Sequence, residues 1–413
     1  MKYIVSTQNK TVNGNIDLPA SKSISNRVLI INALCYNPYP VHNLSDSDDT
    51  CVLKKALFSN QNKFDIGHAG TAMRFLTAFL SKIVGEWEVT GSQRMKQRPI
   101  GILADALTQL GAKIEYLEKD GFPPIKIYGS HLKGKTLELD GSISSQYISA
   151  LLMIAPTIEN GLTLKLKGEV TSQSYIDLTL KLMARFGIQY NWNKNIIHVP
   201  EQNYLPGEFT VEADWSGASY WYQIVALAEK GEVLLKNLQL DSLQGDVTIA
   251  GWFEQFGVKS EQKKDGVLLI KTENIKPEKL TLDFLENPDM AQTFACLCVA
   301  QKVPFHFSGL KTLKIKETDR IFALQNELAK FGAALTEPSD GELAWDGNFD
   351  SAAEGKIPLI KTYHDHRMAL AFAPLALAGF KMEIDDPMVV TKSYPSFWED
   401  LKKIGFQIEN MTS

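Results

Sequence analysis

The chain has 413 residues, of which 44% are hydrophobic and 22% charged, and its formal net charge is −5 at pH 7. This length predicts two or three globular domains. The negative charge argues against general binding of nucleic acids or membrane surfaces. Cys296 and Cys298 lie in an apolar stretch and form no CxxC pair. They are interpreted as small buried hydrophobic residues.

The N-terminal segment MKYIVSTQNKTV lacks the apolar core of a signal peptide. The longest largely apolar run, at 368–380, is too short to span a bilayer and contains Pro374. We therefore expect a cytoplasmic protein with no membrane partner and no nucleic-acid partner.

An amphipathic helix that ends in glycine and precedes a strand-like segment recurs five times. The intervals between these glycines are 76, 70, 75 and 73 residues, and the glycines are Gly111, Gly187, Gly257, Gly332 and Gly405. One such turn is common, because glycine often follows a helix C-terminus. Five at near-constant spacing predict a repeated α+β unit of about 70 residues. A sixth, degenerate copy is expected around VLKKALF in the first 70 residues, which gives two domains of three units each.

The first candidate binding motif is LPASKSISNR at 18–27, which places Lys22, Ser23 and Arg27 at the start of an apolar helix. A helix N-terminus with added cations and hydroxyls suits phosphate. The alternative is an ordinary capped helix with surface charges.

Three further motifs follow in the first half of the chain. In GHAGTAMR at 67–74, Gly70 permits close backbone approach and Thr71 is expected to cap a helix. In QRMKQRPIG at 93–101, Arg98 precedes Pro99, which is expected to start a helix. Neutral hydrogen-bonding residues open two later helices; they are Ser144, Ser145 and Gln146 in one, and Ser172 and Tyr175 in the other.

The second half of the chain carries the candidate acid–base residues. Asp289 follows Pro288 at an expected helix start, where it is either a dipole-satisfying residue or a proton acceptor. In KIKETDR, Lys316 and Arg320 are four residues apart, so they are expected on one helical face, with Glu317 beside them.

The last two motifs are TYHDHRMA at 362–369 and TKSYPSFW at 391–398. His364, Asp365 and His366 raise the possibility of a metal site, but other clustered ligands are missing, so no metal is expected. Arg367 and Lys392 are interpreted as cations at helix starts.

Cations thus recur at the helix starts of the repeated units; they are Lys22, Arg27, Arg98, Lys316, Arg320, Arg367 and Lys392. If the helix starts converge, they form a cleft that suits substrates with several anionic groups. Asp289 and Glu317 are the candidate base and acid. The pattern favours a small-molecule transferase that needs no cofactor.

Eleven motifs, in order along the chain, resemble those of the 5-enolpyruvylshikimate-3-phosphate synthases, within the enolpyruvyl transferase family. They are LPASKSISNR, GHAGTAMR, MKQRPIG, DGSISSQ, SYIDL, EADWSGASY, LQGD, NPDMAQT, KIKETDR, YHDHRMA and TKSYP. The resemblance implies an α/β fold, a two-domain inverse α/β barrel of six βαβαββ-type units with buried helices. It implies one domain at 19–213, on the shikimate 3-phosphate side, and a second at 1–18 and 214–413. It also implies an active site in the interdomain cleft and, as an expectation, a monomer.

The implied reaction transfers the enolpyruvyl group of phosphoenolpyruvate to the 5-hydroxyl of shikimate 3-phosphate and releases phosphate. By resemblance, the shikimate 3-phosphate ligands are Lys22, Ser23, Arg27, Ser144, Ser145, Ser172, Tyr175, Asp289 and Lys316. The implied phosphoenolpyruvate ligands are Lys22, Gly70, Arg98, Gln146, Arg320, Arg367 and Lys392. Asp289 would take the hydroxyl proton, and Glu317, with Lys22 or Lys392, would protonate the methylene carbon.

Three residues depart from the common family pattern: His68 replaces Asn, Phe75 replaces Pro and Thr312 replaces Asn. Two alternatives remain at this point. One is the enolpyruvyl transferase that acts on UDP-N-acetylglucosamine, which typically uses a loop cysteine that this chain lacks at 90–100. The other is a non-catalytic anion-binding protein on the same fold, which would be expected to have lost Asp289 or Glu317.

Overall fold

The computed structural model describes residues 1–350 and 357–411. The chain divides into two compact units. The continuous unit comprises Ala20–Val211, and the discontinuous unit comprises Met1–Pro19 with Glu212–Ser413. These limits lie within two residues of the domain ranges expected from the sequence, while the assignment of either unit to one substrate stays a prediction.

The continuous unit contains six helices and ten strands within its described residues. The helices are α1 (Lys22–Leu34), α2 (Asp48–Leu57), α3 (Gly70–Lys82), α4 (Gly101–Gln109), α5 (Ser145–Ile154) and α6 (Gln173–Arg185). The strands are β3 (Val41–His42), β4 (Lys63–Asp65), β5 (Gly85–Thr90), β6 (Lys113–Tyr116), β7 (Ile125–Gly129), β8 (Thr136–Asp140), β9 (Leu162–Lys167), β10 (Asn191–Asn193), β11 (Ile196–Val199) and β12 (Phe209–Thr210).

The discontinuous unit contains six helices and eleven strands within its described residues. The helices are α7 (Trp215–Leu227), α8 (Ile249–Glu254), α9 (Ala291–Gln301), α10 (Arg320–Ala329), α11 (His366–Phe372) and α12 (Phe397–Lys403). The strands are β1 (Lys2–Ser6), β2 (Thr11–Asp17), β13 (Lys230–Lys236), β14 (Val258–Lys263), β15 (Gly266–Lys271), β16 (Leu280–Asp283), β17 (Phe305–Ser308), β18 (Leu343–Trp345), β19 (Leu359–Ile360), β20 (Met382–Asp385) and β21 (Gln407–Met411).

One sheet pattern recurs in both units: a parallel strand pair extended by antiparallel strands. The four-stranded orders are β4-β5-β7-β6 and β8-β9-β11-β10 in the continuous unit, and β2-β13-β15-β14 and β19-β20-β1-β21 in the discontinuous unit. The sheet β16-β17-β18 has three described strands, and within the described ranges β3 pairs only with β12. Among the described residues, five sheets show this pattern, and they confirm the predicted repeat architecture. The two-stranded sheet belongs to the copy that was expected to be degenerate.

The five glycines of the sequence repeat all adopt a positive φ, between 70° and 108°. Each follows one of the helices α4, α6, α8, α10 and α12 by two or three residues. Glycine reaches this conformation without the steric cost that other residues carry. The predicted repeat therefore reflects a backbone requirement at these five glycines, and it is confirmed.

Helices fill the centre of each unit. In α11 all seven residues are buried, and in α7 eleven of thirteen are buried. A helix that is apolar all round must be covered on every side. In the discontinuous unit α7 is tied to α11 by a hydrogen bond of 3.0 Å from Gln223 Nε2 to the Ala371 carbonyl. This arrangement confirms the inverse barrel. Across the described ranges, no helix is long and apolar enough to cross a membrane.

Three local predictions about helix starts are wrong. Helix α10 begins at Arg320, so Lys316 precedes it and does not share its face. Helix α4 begins at Gly101 rather than at Pro99. Helix α3 begins at Gly70, so Thr71 lies inside it and is not its cap. Short 3₁₀ turns at Lys311–Ile315 and Met95–Gln97 occupy the segments before α10 and α4.

Candidate active site

The discontinuous unit gathers six of the predicted site residues into one group of ion pairs, here called the ion-pair cluster. Asp289 comes from the 3₁₀ turn Pro288–Met290 and Arg320 from the first position of α10. Arg367 is the second residue of α11, and Lys392 ends the 3₁₀ turn Pro387–Lys392. Lys316 and Glu317 lie in the segment before α10. The cluster therefore forms where four chain segments meet.

Asp289 is held by two arginines. Its Oδ1 accepts a hydrogen bond of 2.7 Å from Arg320, and its Oδ2 accepts one of 2.9 Å from Arg367. Lys316 Nζ lies 3.7 Å from Oδ1. Burial opposes ionisation of this carboxyl, but Arg367, Lys316 and Arg320 outweigh it and hold the pKa of Asp289 well below its usual range. Asp289 is therefore ionised and fixed in orientation.

Asp365 is a cluster residue that sequence reasoning did not assign to the site. Its side chain is fully buried, and its two oxygens accept hydrogen bonds of 2.7 and 3.3 Å from Arg320. Asp365 also caps α11 by accepting a bond of 3.0 Å from the Arg367 amide. It therefore orients both arginines that hold Asp289. The signal was present in DHRMA, where Asp365 was considered only as a metal ligand.

Arg320 is the centre of the cluster and is almost fully buried. Burial lowers its pKa, but the carboxylates of Asp365, Glu317 and Asp289 outweigh that effect and raise it. A buried cation of this kind is tolerated because its donors are matched by charged acceptors.

Glu317 joins the cluster through both carboxylate oxygens. Oε2 accepts a hydrogen bond of 3.0 Å from Arg320, and Oε1 accepts one of 2.6 Å from Lys392. Lys392 is itself mostly buried. Glu317 and Lys392 are therefore in direct hydrogen-bond contact, the geometry that a proton-transfer pair needs.

The continuous unit holds a different kind of group around Arg27, here called the Arg27 cluster. The guanidinium donates to Thr179 Oγ1 at 2.7 Å, to Ser149 Oγ at 3.1 Å and to the carbonyls of Ser23 and Tyr175 at 2.9 and 3.3 Å. Among the described residues these acceptors are all neutral. Burial lowers the pKa of Arg27 to about 10. Its charge is therefore held without a counter-ion from the residues that the structure describes.

Phe75, one of the departures from the family pattern, is part of this cluster. Its buried ring lies 5.4 Å from the Arg27 guanidinium carbon. An aromatic ring near a cation is attractive through the ring quadrupole. The substitution therefore adds a contact to Arg27.

Further predicted ligands lie at three helix starts of the continuous unit. Ser144 caps α5 by accepting a hydrogen bond of 3.4 Å from the Gln146 amide, and Ser145 is the first residue of α5. Ser172 precedes α6 with a φ of 53°, which is uncommon for serine. Lys22 is the first residue of α1 and is partly buried.

Gly70, Arg98 and Gln146 come together at the start of α3. A Cβ added to Gly70 would lie 2.5 Å from Arg98 Nη1, so the guanidinium rests directly on the glycine. Gln146 Nε2 donates to Thr71 Oγ1 at 3.4 Å. Arg74, which the sequence analysis left without a role, binds the carbonyls of Gly70 and Pro99 at 3.2 and 3.0 Å. Arg74 thereby ties α3 to the segment that carries Arg98.

The two remaining departures have different surroundings. His68 is exposed, and its Nδ1 lies 2.9 Å from Ser92 Oγ. Thr312 lies in the 3₁₀ turn before Lys316, and within residues 1–350 and 357–411 its buried Oγ1 has no hydrogen-bond partner.

The two histidines of the motif that was considered as a metal site differ strongly in exposure. The His364 side chain is 86% exposed and lies 3.4 Å from Asp386, whereas His366 is 2% exposed. No group of three or more potential ligands suited to a metal ion occurs in the described part of the chain.

The chain is thus an α/β protein with a repeated inverse-barrel fold and a cluster of buried cations and carboxylates. The family model for EPSP synthase (3-phosphoshikimate 1-carboxyvinyltransferase) matches residues 53–401. The chain therefore belongs to the EPSP synthase family.

Individual relatives agree with this membership. A 3-phosphoshikimate 1-carboxyvinyltransferase of Bacteroides fragilis is 50% identical over 410 residues, which cover 99% of each chain. The protein of that name from Photobacterium damsela subsp. piscicida is 36% identical and covers 95% of this chain and 97% of its own. The solved EPSP synthase of Acinetobacter baumannii has a TM-score of 0.78 at 20% identity, covering 99% of this chain and 100% of that one. This last likeness shows the shared fold.

Proposed function

We propose that the chain is a 3-phosphoshikimate 1-carboxyvinyltransferase. It transfers the enolpyruvyl group of phosphoenolpyruvate to the 5-hydroxyl of shikimate 3-phosphate and releases phosphate. Family membership over nearly the whole chain supports the reaction. The observation that carries the chemistry is the ion-pair cluster, in which Asp289 pairs with Lys316, Arg320 and Arg367, and Glu317 pairs with Arg320 and Lys392.

The anionic groups of the two proposed substrates account for the many cations among the predicted ligands. Each substrate carries a carboxylate and a phosphate, which charge-assisted donors bind strongly. We assign shikimate 3-phosphate to Lys22, Ser23, Arg27, Ser144, Ser145, Ser172, Tyr175, Asp289 and Lys316. We assign phosphoenolpyruvate to Lys22, Gly70, Arg98, Gln146, Arg320, Arg367 and Lys392. How the two units act together in one active site stays a prediction.

Asp289 is the proposed proton acceptor. A carboxylate fixed by Arg320 and Arg367 presents its remaining lone pairs in a defined direction, as general-base catalysis requires. When substrate anions engage the same arginines, they weaken the hold of the arginines on Asp289. The basicity of Asp289 then rises at the moment when the 5-hydroxyl must lose its proton.

Glu317 and Lys392 are the proposed proton-donating pair. Their 2.6 Å contact offers a path from the ammonium to the carboxylate and on to the methylene carbon of phosphoenolpyruvate. Lys22 is the other candidate partner for Glu317. Protonation turns the methylene into a methyl group and leaves positive charge at the neighbouring carbon.

The remaining steps balance these proton transfers. The 5-oxygen attacks the cationic carbon and gives a tetrahedral adduct that still carries the phosphate. Loss of phosphate from that carbon, with return of one methyl proton to the Glu317 carboxylate, restores the double bond in the product. The flanking cations stabilise the negative charge on the departing phosphate.

The test is phosphate release by the purified protein with phosphoenolpyruvate and shikimate 3-phosphate, and with UDP-N-acetylglucosamine as the alternative acceptor. We expect release only with shikimate 3-phosphate, together with an enolpyruvyl ether at the 5-oxygen in the NMR spectrum of the product. Release with the nucleotide sugar, or no release with either acceptor from folded protein, would refute the proposal. That the protein is a cytoplasmic monomer and needs no cofactor stays a prediction.

A further inference from the structure

Asp246 is a buried carboxylate outside the predicted site, in the 3₁₀ turn Gly245–Thr248. Its Oδ2 accepts a hydrogen bond of 2.8 Å from the Ser216 hydroxyl, and its Oδ1 accepts one of 2.9 Å from the Asn287 amide. Both partners therefore donate to Asp246. A carboxylate offers an acceptor to each of them at once.

Each partner of Asp246 leads to the ion-pair cluster by a separate route. Ser216, near the start of α7, accepts a hydrogen bond of 3.4 Å from Arg367, which in turn holds Asp289. Asn287 is the residue from which the turn carrying Asp289 begins, and its carbonyl accepts from the Met290 amide at 3.0 Å. One route fixes the arginine and the other fixes the backbone under the catalytic carboxylate.

The neighbouring residue Gln244 docks the same segment onto α7. Its Oε1 accepts from the Trp215 amide at 3.1 Å, and its Nε2 donates to the Ala213 carbonyl at 2.8 Å. Asp246 is therefore not on a freely moving segment. The hydrogen bonds of Gln244 therefore help to fix the position of Asp246 independently of Ser216 and Asn287.

We propose that Asp246 is a positioning residue for the reaction. Through Ser216 and Asn287 it fixes the relative placement of Arg367 and Asp289, and so the geometry in which phosphoenolpyruvate meets the base. This role rests on the function proposed above. Both carboxylate oxygens of Asp246 already accept from protein donors, so the proposed effect is indirect.

An amide at this position keeps the shape but removes one acceptor. In Asp246→Asn, whichever way the new amide is turned, one of its two neighbours faces an N–H group instead of an oxygen. If that neighbour is Ser216, its hydroxyl proton loses its acceptor, and its oxygen then faces N–H donors from both the new amide and Arg367. Small displacements of this kind near reacting groups reduce rates strongly.

The experiment compares wild-type protein with Asp246→Asn, Ser216→Ala and Asp400→Asn in the phosphate-release assay. Asp400 is the matched control, because it is also a buried aspartate and accepts bonds of 3.0 and 2.9 Å from the hydroxyls of Tyr394 and Ser396. For Asp246→Asn we expect kcat/KM for phosphoenolpyruvate to fall by about tenfold to a hundredfold. The KM for shikimate 3-phosphate should stay within about threefold.

Ser216→Ala should reproduce the part of this loss that passes through Arg367, seen as a raised KM for phosphoenolpyruvate. It also carries the test if Asp246→Asn does not fold. Asp400→Asn should keep kcat/KM within about threefold of wild type even if it is less stable.

A folded Asp246→Asn with wild-type kinetics would overturn the proposal, as would equal losses in Asp246→Asn and Asp400→Asn. Unchanged kinetics in Ser216→Ala would remove the route through Arg367. If the wild-type protein itself released no phosphate, the proposed function would fail instead. Titration with phosphoenolpyruvate alone would then decide the role of Asp246, since weaker binding by Asp246→Asn is still expected and equal binding would contradict it.

Discussion

Arg320 and Arg27 are both almost fully buried, but they are held by opposite kinds of surroundings. Arg320 contacts three carboxylates, those of Asp289, Glu317 and Asp365, which together raise its pKa. Arg27 contacts hydroxyls and carbonyls among the described residues, and burial lowers its pKa to about 10. One arginine is thus electrostatically matched within the protein, and the other carries a charge that burial penalises.

The difference separates two tasks. A matched arginine holds catalytic carboxylates in place, and the cost of its burial is offset by their charge. An arginine among neutral acceptors gains most when an anion arrives, because the anion supplies the missing counter-charge. The ion-pair cluster is accordingly the proposed site of proton transfer, and the Arg27 cluster is proposed to recognise an anionic substrate.

The largest effect is expected from Asp289→Asn and Glu317→Gln. Each removes a proposed proton-transfer group, so turnover should fall by about a hundredfold to ten-thousandfold. Substrate binding should be mostly kept, because the cations remain and those released from Asp289 are free to bind substrate anions. Steady-state kinetics with separate binding titrations would measure both. Asp340→Asn, an exposed carboxylate paired with Lys314, is the control. Wild-type-like turnover in either variant would remove that residue from the chemistry.

The next effect concerns stability and compares the two arginines directly. Arg320→Met leaves three carboxylates close together without their shared cation, and we expect a loss of about 3–5 kcal/mol in the free energy of unfolding. Arg27→Met removes a charge that has only neutral partners among the described residues, so the change should stay within about 1 kcal/mol. Urea unfolding without substrate would measure both. Equal losses would show that the two surroundings do not differ in the way described.

A smaller effect is a difference in pH dependence between two aspartates of the discontinuous unit. The pKa of Asp289 is held low, so its stabilising contribution is present above its unfolded value of about 3.9 and is lost as the pH falls towards the folded pKa. Burial raises the pKa of Asp246. Its stabilising contribution is therefore present below about pH 3.9 and is lost as the pH rises through the folded pKa.

Urea unfolding from about pH 2.5 to 7 would measure this difference. The stability advantage of wild type over Asp289→Asn should shrink on acidification, whereas its advantage over Asp246→Asn should grow. A change of both advantages in the same direction would contradict the opposite pKa shifts assigned to Asp289 and Asp246.

The smallest effect is expected from Gly70→Ala in the continuous unit. The new methyl group would meet Arg98 at 2.5 Å, and the flexible guanidinium must move away. We expect the KM for phosphoenolpyruvate to rise severalfold with kcat nearly unchanged, because binding is altered more than chemistry. Gly251→Ala is the control, since a Cβ there meets no atom within 4 Å. A wild-type KM in Gly70→Ala would mean that the placement of Arg98 on the glycine has no role in binding.

The repeat could be predicted from the sequence because it depends on a local backbone requirement. Glycines such as Gly111 and Gly405 mark helix ends by their positive φ, and that need is local. The predicted helix starts near Thr71, Pro99 and Lys316 were wrong, because 3₁₀ turns and neighbouring segments determine where those helices begin. Cap and spacing signals cannot distinguish such turns from the first turn of a helix.

The sequence allowed the residues of the site to be predicted, but not which of their side chains contact one another. Asp365 was overlooked because its role depends on Arg320, 45 positions away in the chain. Asp246 was overlooked for the same reason, since Ser216 and Asn287 reach it from distant segments. A buried carboxylate that acts by holding another side chain leaves no spacing pattern in the sequence.

The most direct test of addition and elimination at the ion-pair cluster is to run the reaction of wild-type protein in D₂O. The methylene hydrogens of the product would be followed by NMR. Protonation of that carbon by an exchangeable group such as Glu317 or Lys392, followed by loss of one methyl hydrogen, predicts deuterium in the product methylene. A product that forms at the normal rate without deuterium would mean that no methyl-bearing adduct is made, and the proposed acid–base roles would be wrong.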